Sequence, residues 1–190
     1  ISVVIVIAAT AMGADAMASD SAPGDALYWI KTSKETISLR MPKSDAAKAQ
    51  EHARLAGERT HEIGQLIDQG KFVEAERHSD QVRRQLAQSA QLVGLRMSTN
   101  PIELPPRTVS PISKKDLEDL KSRLRRNSIL SSAMLSAYLR TVPPSDREMV
   151  MVMKRRSELV YRAMIAVLES GGGGTWPPFY RTEPPRSTGR

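Results

Sequence analysis

Between Ala49 and Val93 small and apolar residues recur at alternating steps of four and three, and the pattern breaks once, at Gly70. On the N-terminal side the series is Ala49, Ala53, Ala56, Thr60, Ile63, Ile67; on the C-terminal side it is Phe72, Ala75, Ser79, Val82, Leu86, Ser89, Val93. A repeat averaging 3.5 residues keeps one stripe of a helix facing a partner helix, and strands cannot use it because their side chains alternate with a period of two. Glycine is the residue that most readily ends a helix in the left-handed conformation. Two seams of matched length joined at one glycine therefore predict an antiparallel helical hairpin, over about residues 45–69 and 71–94. Ser44 is placed to cap the first of these helices. The charged residues Glu51, Arg54, Glu58, Arg59, Glu62, Glu74, Glu76, Arg77, Arg83 and Arg84 are expected mainly on outward faces.

The second half repeats the plan. Ser113 with Asp116 reads as a helix start, and Leu117, Leu120, Leu124, Ser128, Ser131, Leu135 and Tyr138 carry a stripe to about residue 140. Pro143-Pro144 stops that helix, and Ser145 with Glu148 reads as a capping box for a last helix over about 146–169. That helix is expected to bury Met149, Val152, Met153, Leu159, Met164 and Val167 in part, leaving Met151 exposed. Ahead of the first hairpin, Asp25 is a good cap, and Leu27, Ile30, Ile37 and Met41 recur at helical spacing up to Pro42, predicting a helix over about 26–40. The expectation is an all-α chain of about five helices: 25–97 as a three-helix domain, 98–112 as a Pro-rich connector, 113–170 as a second hairpin, and 171–190 as a disordered tail rich in Gly and Pro. Apolar residues make up 40% of the chain but aromatic residues only 4%, which suits close, Ala-rich helix packing rather than a sheet.

Residues 1–12, Ile-Ser-Val-Val-Ile-Val-Ile-Ala-Ala-Thr-Ala-Met, carry no charge. Two readings fit. One takes 1–13 as the outer end of a transmembrane helix, which needs about 20 apolar residues. The other takes it as the apolar core of a signal peptide, cleaved near Ala18, since Ala14-Asp15-Ala16 and Ala16-Met17-Ala18 both match small-x-small cleavage patterns. Either places the chain beyond a linker at 14–24 outside the cytoplasm, membrane-anchored or secreted.

The opening Pro23-Gly24-Asp25-Ala26-Leu27-Tyr28-Trp29-Ile30-Lys31 resembles that of a bacterial domain family of unknown function. Its members begin with Pro-Gly-(Asp/Ser)-x-Leu-Tyr-x-x-Lys just outside a membrane helix, followed by a helix rich in Ala, Glu and Arg, here Ala49-Gln50-Glu51-His52-Ala53-Arg54-Leu55-Ala56-Gly57-Glu58-Arg59. The resemblance covers about residues 22–95 and departs at Trp29, where Pro is more usual. It implies a membrane-proximal, extracytoplasmic helical domain, in several members the outer half of an anti-sigma-factor-like protein, and supplies no catalytic residues. Leu27, Tyr28 and Ile30 are expected to dock the first helix on the hairpin; Tyr28 and Trp29 also suit a membrane interface.

Chemistry-bearing patterns are sparse. His61-Glu62-Ile63-Gly64-Gln65 resembles a zinc-protease helix but puts Gln65 where the second His belongs, so no metal is expected from it. Across a turn at Gly70, His61 and His78 fall near one another and form a candidate two-His proton or weak metal site. Glu74 with Glu76, and Glu118 with Asp119, do not share a helix face. No nucleophile with its base, P-loop or dinucleotide fingerprint appears, no Cys is present, and no enzyme activity or cofactor is expected. The formal net charge is +7, with most of the excess after residue 113. Arg123, Arg125 and Arg126 on one helix and Lys154, Arg155 and Arg156 on the next are candidates for a single patch that contacts an anionic surface: lipid headgroups, an acidic polymer or an acidic protein. Nucleic acid is not expected, because stacking aromatics and known motifs are absent. The seams also allow a homodimer.

Overall fold

A computed structural model describes residues 23, 28–41, 43–94 and 112–170, and every structural statement below concerns these residues. They form five α-helices: α1 Tyr28–Arg40, α2 Asp45–Asp68, α3 Phe72–Leu92, α4 Lys114–Thr141 and α5 Arg147–Glu169. Described residues include no strand. The N-terminal apolar segment, nearly all of the linker, the Pro-rich connector and the C-terminal tail lie outside the described residues, as does the Trp29 side chain.

The helix ends follow local chemistry. The Ser44 hydroxyl accepts from the Ala47 amide and the Ser113 hydroxyl accepts from the Asp116 amide, each satisfying an amide that the first turn leaves without a partner. Gly70 adopts φ of 70°, and the turn closes with Lys71 N–H donating to the Leu66 carbonyl at 2.8 Å. The box expected at Ser145 and Glu148 does not form. Asp146 caps α5 without a side-chain bond to the backbone, because the Ser145 hydroxyl turns to the Asp146 carboxylate instead, at 3.3 Å.

Helices α2 to α5 form one four-helix bundle with a single continuous core. Helix α2 packs antiparallel on α3 and α4 antiparallel on α5, as the hairpin pattern requires, while α2 also packs on α4 and α3 on α5. Asn127 meets Ala53 and Tyr138 meets Asp68, so residue numbers rise together along α2 and α4 and those two helices run parallel. The α2–α3 stripe is buried as read, with Ala49, Ala53, Ala56, Ala75 and Leu86 at 0% exposure. Serines in the seams pair across helices: Ser89 donates to the Ala49 carbonyl at 2.8 Å, and Ser131 meets Ser157 at 2.7 Å. Paired hydroxyls carry little of the cost of burying a lone one. In α5 the buried series is Val150, Met153, Val160, Tyr161, Met164, Val167 and Leu168. Leu159, expected to be partly buried, is 52% exposed, because the true seam is shifted by one position around the helix. Met151 is exposed at 38%, as expected.

Two glycines sit in the α2–α4 seam, one of the two that join the hairpins. A Cβ added at Gly57 stands 2.9 Å from Asn127 Nδ2, and one added at Gly64 stands 2.9 Å from Met134 Sδ and 3.3 Å from the Tyr138 hydroxyl. Two glycines seven residues apart on one helix let α4 approach closely enough for Asn127 to donate to the Ala53 carbonyl at 2.9 Å and Tyr138 to donate to Asp68 at 2.7 Å.

Tyr161 lies at the centre, at 0% exposure, and its hydroxyl makes no hydrogen bond. Burial pushes it up to about 12. Its nearest polar neighbours, Thr60 and Asn127, give their own hydrogens to the Ala56 and Ala53 carbonyls. A buried hydroxyl without a partner carries its desolvation cost uncompensated. Tyr161→Phe is expected to leave stability unchanged or raise it by about 1 kcal/mol, read from the urea midpoint at constant slope; a loss of that size would show that the hydroxyl is bonded.

Candidate functional site

Helix α1 lies antiparallel along α2 and reaches α3; of the residues expected to dock it, Tyr28 does so, Ile30 is half-buried, and Leu27 lies outside the described residues. Ile37 and Met41 are 61% and 54% exposed. The docked face is Tyr28, Lys31, Glu35 and Ser38, a series of the same three-and-four spacing built from polar residues. Its targets on the bundle correct a second expectation. Arg59, Glu62 and His78 are buried, at 6%, 0% and 9% exposure, and Glu62 and Arg59 do not face outward, because α1 covers them.

Glu62 is the hub. Lys31 Nζ donates to Oε1 at 2.7 Å, Arg59 Nη1 donates to both oxygens at 2.8 and 2.9 Å, and the Tyr28 hydroxyl donates to Oε2 at 3.1 Å. His78 Nε2 stands 3.4 Å from the same Oε2 and 3.4 Å from the Tyr28 oxygen. His78 Nδ1 donates to the Glu74 carbonyl at 3.0 Å; a carbonyl only accepts, so this nitrogen carries a hydrogen, and the ring is turned with Nε2 toward Glu62. Arg59 also pairs with Glu35 through its second Nη. One Glu35 oxygen is buried with no partner. The Lys31 ammonium sits 6.0 Å from the centre of the Tyr28 ring. Farther along, Ser38 donates to Glu51 at 3.1 Å, and Arg54 bridges Glu51 and Glu58.

Burial alone raises a carboxyl such as Glu62, but the hydrogen bonds from His78 and Lys31 and the charges of Arg59 and Lys31 outweigh it and hold the group at about 2, against 4.5 for the free side chain. The Tyr28 hydroxyl is pushed up, first by burial and then by the Glu62 charge, which keeps it a donor. Glu35 is also raised, by burial ahead of the opposing Arg59 charge and hydrogen bond. The unfolded chain binds the Glu62 proton more readily than the folded one, so its contribution is complete above pH 4.5 and is lost as pH falls toward 2. Glu35 acts with the opposite sign, and its share is gained as pH falls toward 4.5, above the window in which the Glu62 share is lost. Stability against urea is therefore expected to fall between pH 4.5 and 2, and to fall much less in Glu62→Gln; equal acid sensitivity in both proteins would sink the assignment.

This arrangement is a latch between helices. With Glu62 at 0% exposure, no solute reaches the hub while α1 is docked. His61 is exposed beside Gln65, 3.5 Å away, whereas His78 faces Glu62, so the two imidazoles do not converge on one site. Among the described residues no three His, Asp or Glu side chains are grouped to hold a metal ion. His52 is occupied with Gln85 at 2.6 Å.

The six basic residues are dispersed. Arg125 pairs with Glu169 at 2.5 Å, Lys154 with Glu158 at 2.7 Å, and Arg156 with Glu76 of α3 at 3.0 Å. Arg126 and Arg155 are exposed, and one Arg123 nitrogen is buried without a partner. Ser131 opposite Ser157 and Ser132 opposite Glu158 fix the hairpin register, which leaves the Arg126 and Arg156 positions roughly 12 Å apart along the axis. The structure thus brings Lys154 and Arg156 to different neighbours and does not gather the six side chains at one point.

The fold and latch define an all-α four-helix bundle with a separately docked leading helix. The chain belongs to the family described as Domain of unknown function (DUF5667), whose model matches residues 20–127. The match spans α1 to α3 and ends midway along α4, whereas the packed bundle continues through α5. Comparison with curated proteins and with solved structures found no match.

Proposed function

We propose that the chain is a non-enzymatic regulatory or interaction module, carried outside the cytoplasm of a bacterium by an apolar segment at residues 1–12, in the manner of the outer halves of anti-sigma-factor-like proteins. The observation that carries this reading is the way α1 is attached. The first described helix after the apolar run is held by buried charge centred on Glu62 rather than by an apolar seam. Buried ion pairs are weak net contributors when intact and costly when broken singly, so such an attachment behaves as a two-position contact rather than as permanent core. A helix placed between an anchor and a bundle, held in that way, is suited to pass a pull or a binding event from one to the other. The resemblance of Pro23 to Lys31 to sequences that follow a membrane helix supports the same placement.

A secreted or periplasmic binding protein, freed by cleavage near Ala18, is the second reading, favoured by the small residues at 14–18. No described helix is long and apolar enough to cross a membrane.

Fusion of a reporter that is active only after export to residue 190, with fractionation and mass analysis of the N-terminus, tests both. Activity in the membrane fraction with residues 1–12 retained is the expected result. A soluble exported protein beginning near residue 19 favours the second reading, and an inactive reporter on a soluble cytoplasmic chain overturns both.

A further inference from the structure

Helices α4 and α5 form a shallow groove of about 590 Å³ on the side of their hairpin away from α2 and α3, lined by Ser128, Ile129, Ser132, Ala133, Arg162 and Ala166. The acids of this face are internally engaged: Glu158 accepts from Lys154 and Ser132, and Glu169 from Arg125. Exposed arginines remain on it, Arg126 among them. Arg140 on α4 and Arg155 and Arg162 on α5 are exposed, and none forms an ion pair with a described residue. Arg155 and Arg162 are seven residues apart, and Ile129 and Arg140 eleven, so each pair shares a helix face. Beside them stand Ile129 at 69% exposure, Leu159 at 52% and Met151 at 38%.

We infer that this outer face of α4 and α5 docks on an anionic lipid surface, the arginines meeting headgroup phosphates while Ile129, Met151 and Leu159 enter the acyl boundary. An amphipathic face that mixes unpaired cations with isolated large apolar residues has the composition of an interfacial helix. The placement of charge selects lipid over an acidic partner helix. Glu158 and Glu169 line the groove itself, where a helix would seat and where further carboxylates would be repelled. The cations, by contrast, span two helices over a breadth that fits many headgroups. The roughly 15 residues between the apolar run and α1 extend to at most about 50 Å, which exceeds the thickness of two packed helix layers, so an anchored bundle can lie on this side.

The docking rests on the anchored reading only for bringing the face to the bilayer, and the test separates the two. The full chain is sedimented with vesicles of phosphatidylcholine alone and with vesicles of phosphatidylcholine plus phosphatidylglycerol. Binding common to both reports the apolar segment, and the increment on the anionic vesicles reports the face. Each surface cation contributes roughly fivefold, so R140Q/R155Q/R162Q is expected to lose about a hundredfold of the anionic increment and none of the common binding. The increment is also expected to shrink as salt rises. These positions are exposed, and circular dichroism checks that the variant keeps its helix. Equal binding to both vesicles by the unaltered chain, an increment that survives the triple substitution, or capture of a Glu-rich amphipathic peptide in preference to the vesicles would each overturn the inference.

Discussion

A chain carrying Glu62→Ala is expected to unfold at lower urea concentration, by about 3–5 kcal/mol, and with a shallower slope than the unaltered protein. Removing the carboxylate leaves Arg59, at 6% exposure, and Lys31, on the docked face of α1, with no opposing charge from Glu62. Those cations regain water most cheaply if α1 lets go, since that exposes both without opening the four-helix core. The variant then begins unfolding from a state that already shows part of its surface, which is why the slope falls as well as the midpoint. Glu62→Gln is expected to be milder. It keeps an acceptor for Lys31 and Tyr28 while losing the charge that balances them. If Glu62→Ala left midpoint and slope unchanged, the latch would contribute nothing to the fold.

The second large effect is expected at the junction of the hairpins. Gly64 is buried, and even a methyl group there stands 2.9 Å from Met134 Sδ and 3.3 Å from the Tyr138 hydroxyl. Gly64→Leu cannot be absorbed by one side-chain rotation. It forces α2 and α4 apart, strips Tyr138 from Asp68, and is expected to cost about 3 kcal/mol through overpacking. Gly57→Leu acts one seam repeat earlier, through Asn127 and its bond to the Ala53 carbonyl. The double variant is expected to keep α2–α3 and α4–α5 helical but to uncouple them, so that heat unfolding loses its single transition. A double variant that unfolds in one step at the unaltered midpoint would show that the glycines are incidental.

These two sites mark where the sequence was legible and where it was not. Ser44, Gly70, Ser113 and the seams from Ala49 to Val93 act through local rules, and the helices formed where those rules put them. The close α2–α4 approach was hidden because its seam includes Gly57 and Gly64, which a search for apolar stripes passes over. A pair of glycines seven apart inside a strong helix was the available signal, since each costs about 1 kcal/mol of helix propensity and needs a packing reason. The latch was hidden for a different cause. Tyr28, Lys31, Glu35 and Ser38 have seam spacing, but polar residues on such a stripe look like a solvent face until a buried partner is known. That partner, Glu62, is met by the charge of Lys31 from 31 positions earlier and by the His78 ring from 16 later, a convergence that only the packed chain displays. Of the six basic residues, Arg125, Lys154 and Arg156 each pair with a carboxylate that the sequence pattern did not single out.

Native-state hydrogen exchange on the unaltered chain tests most directly whether α1 is a separately latched helix. If the charges around Glu62 are what hold it, the amides of α1 should open at a lower free energy than those of α2 to α5, and Lys31→Met should raise exchange in α1 by at least a hundredfold while leaving the core of α2 and α3 protected. Protection of α1 equal to that of the bundle, unmoved by loss of the Lys31 charge, would contradict it.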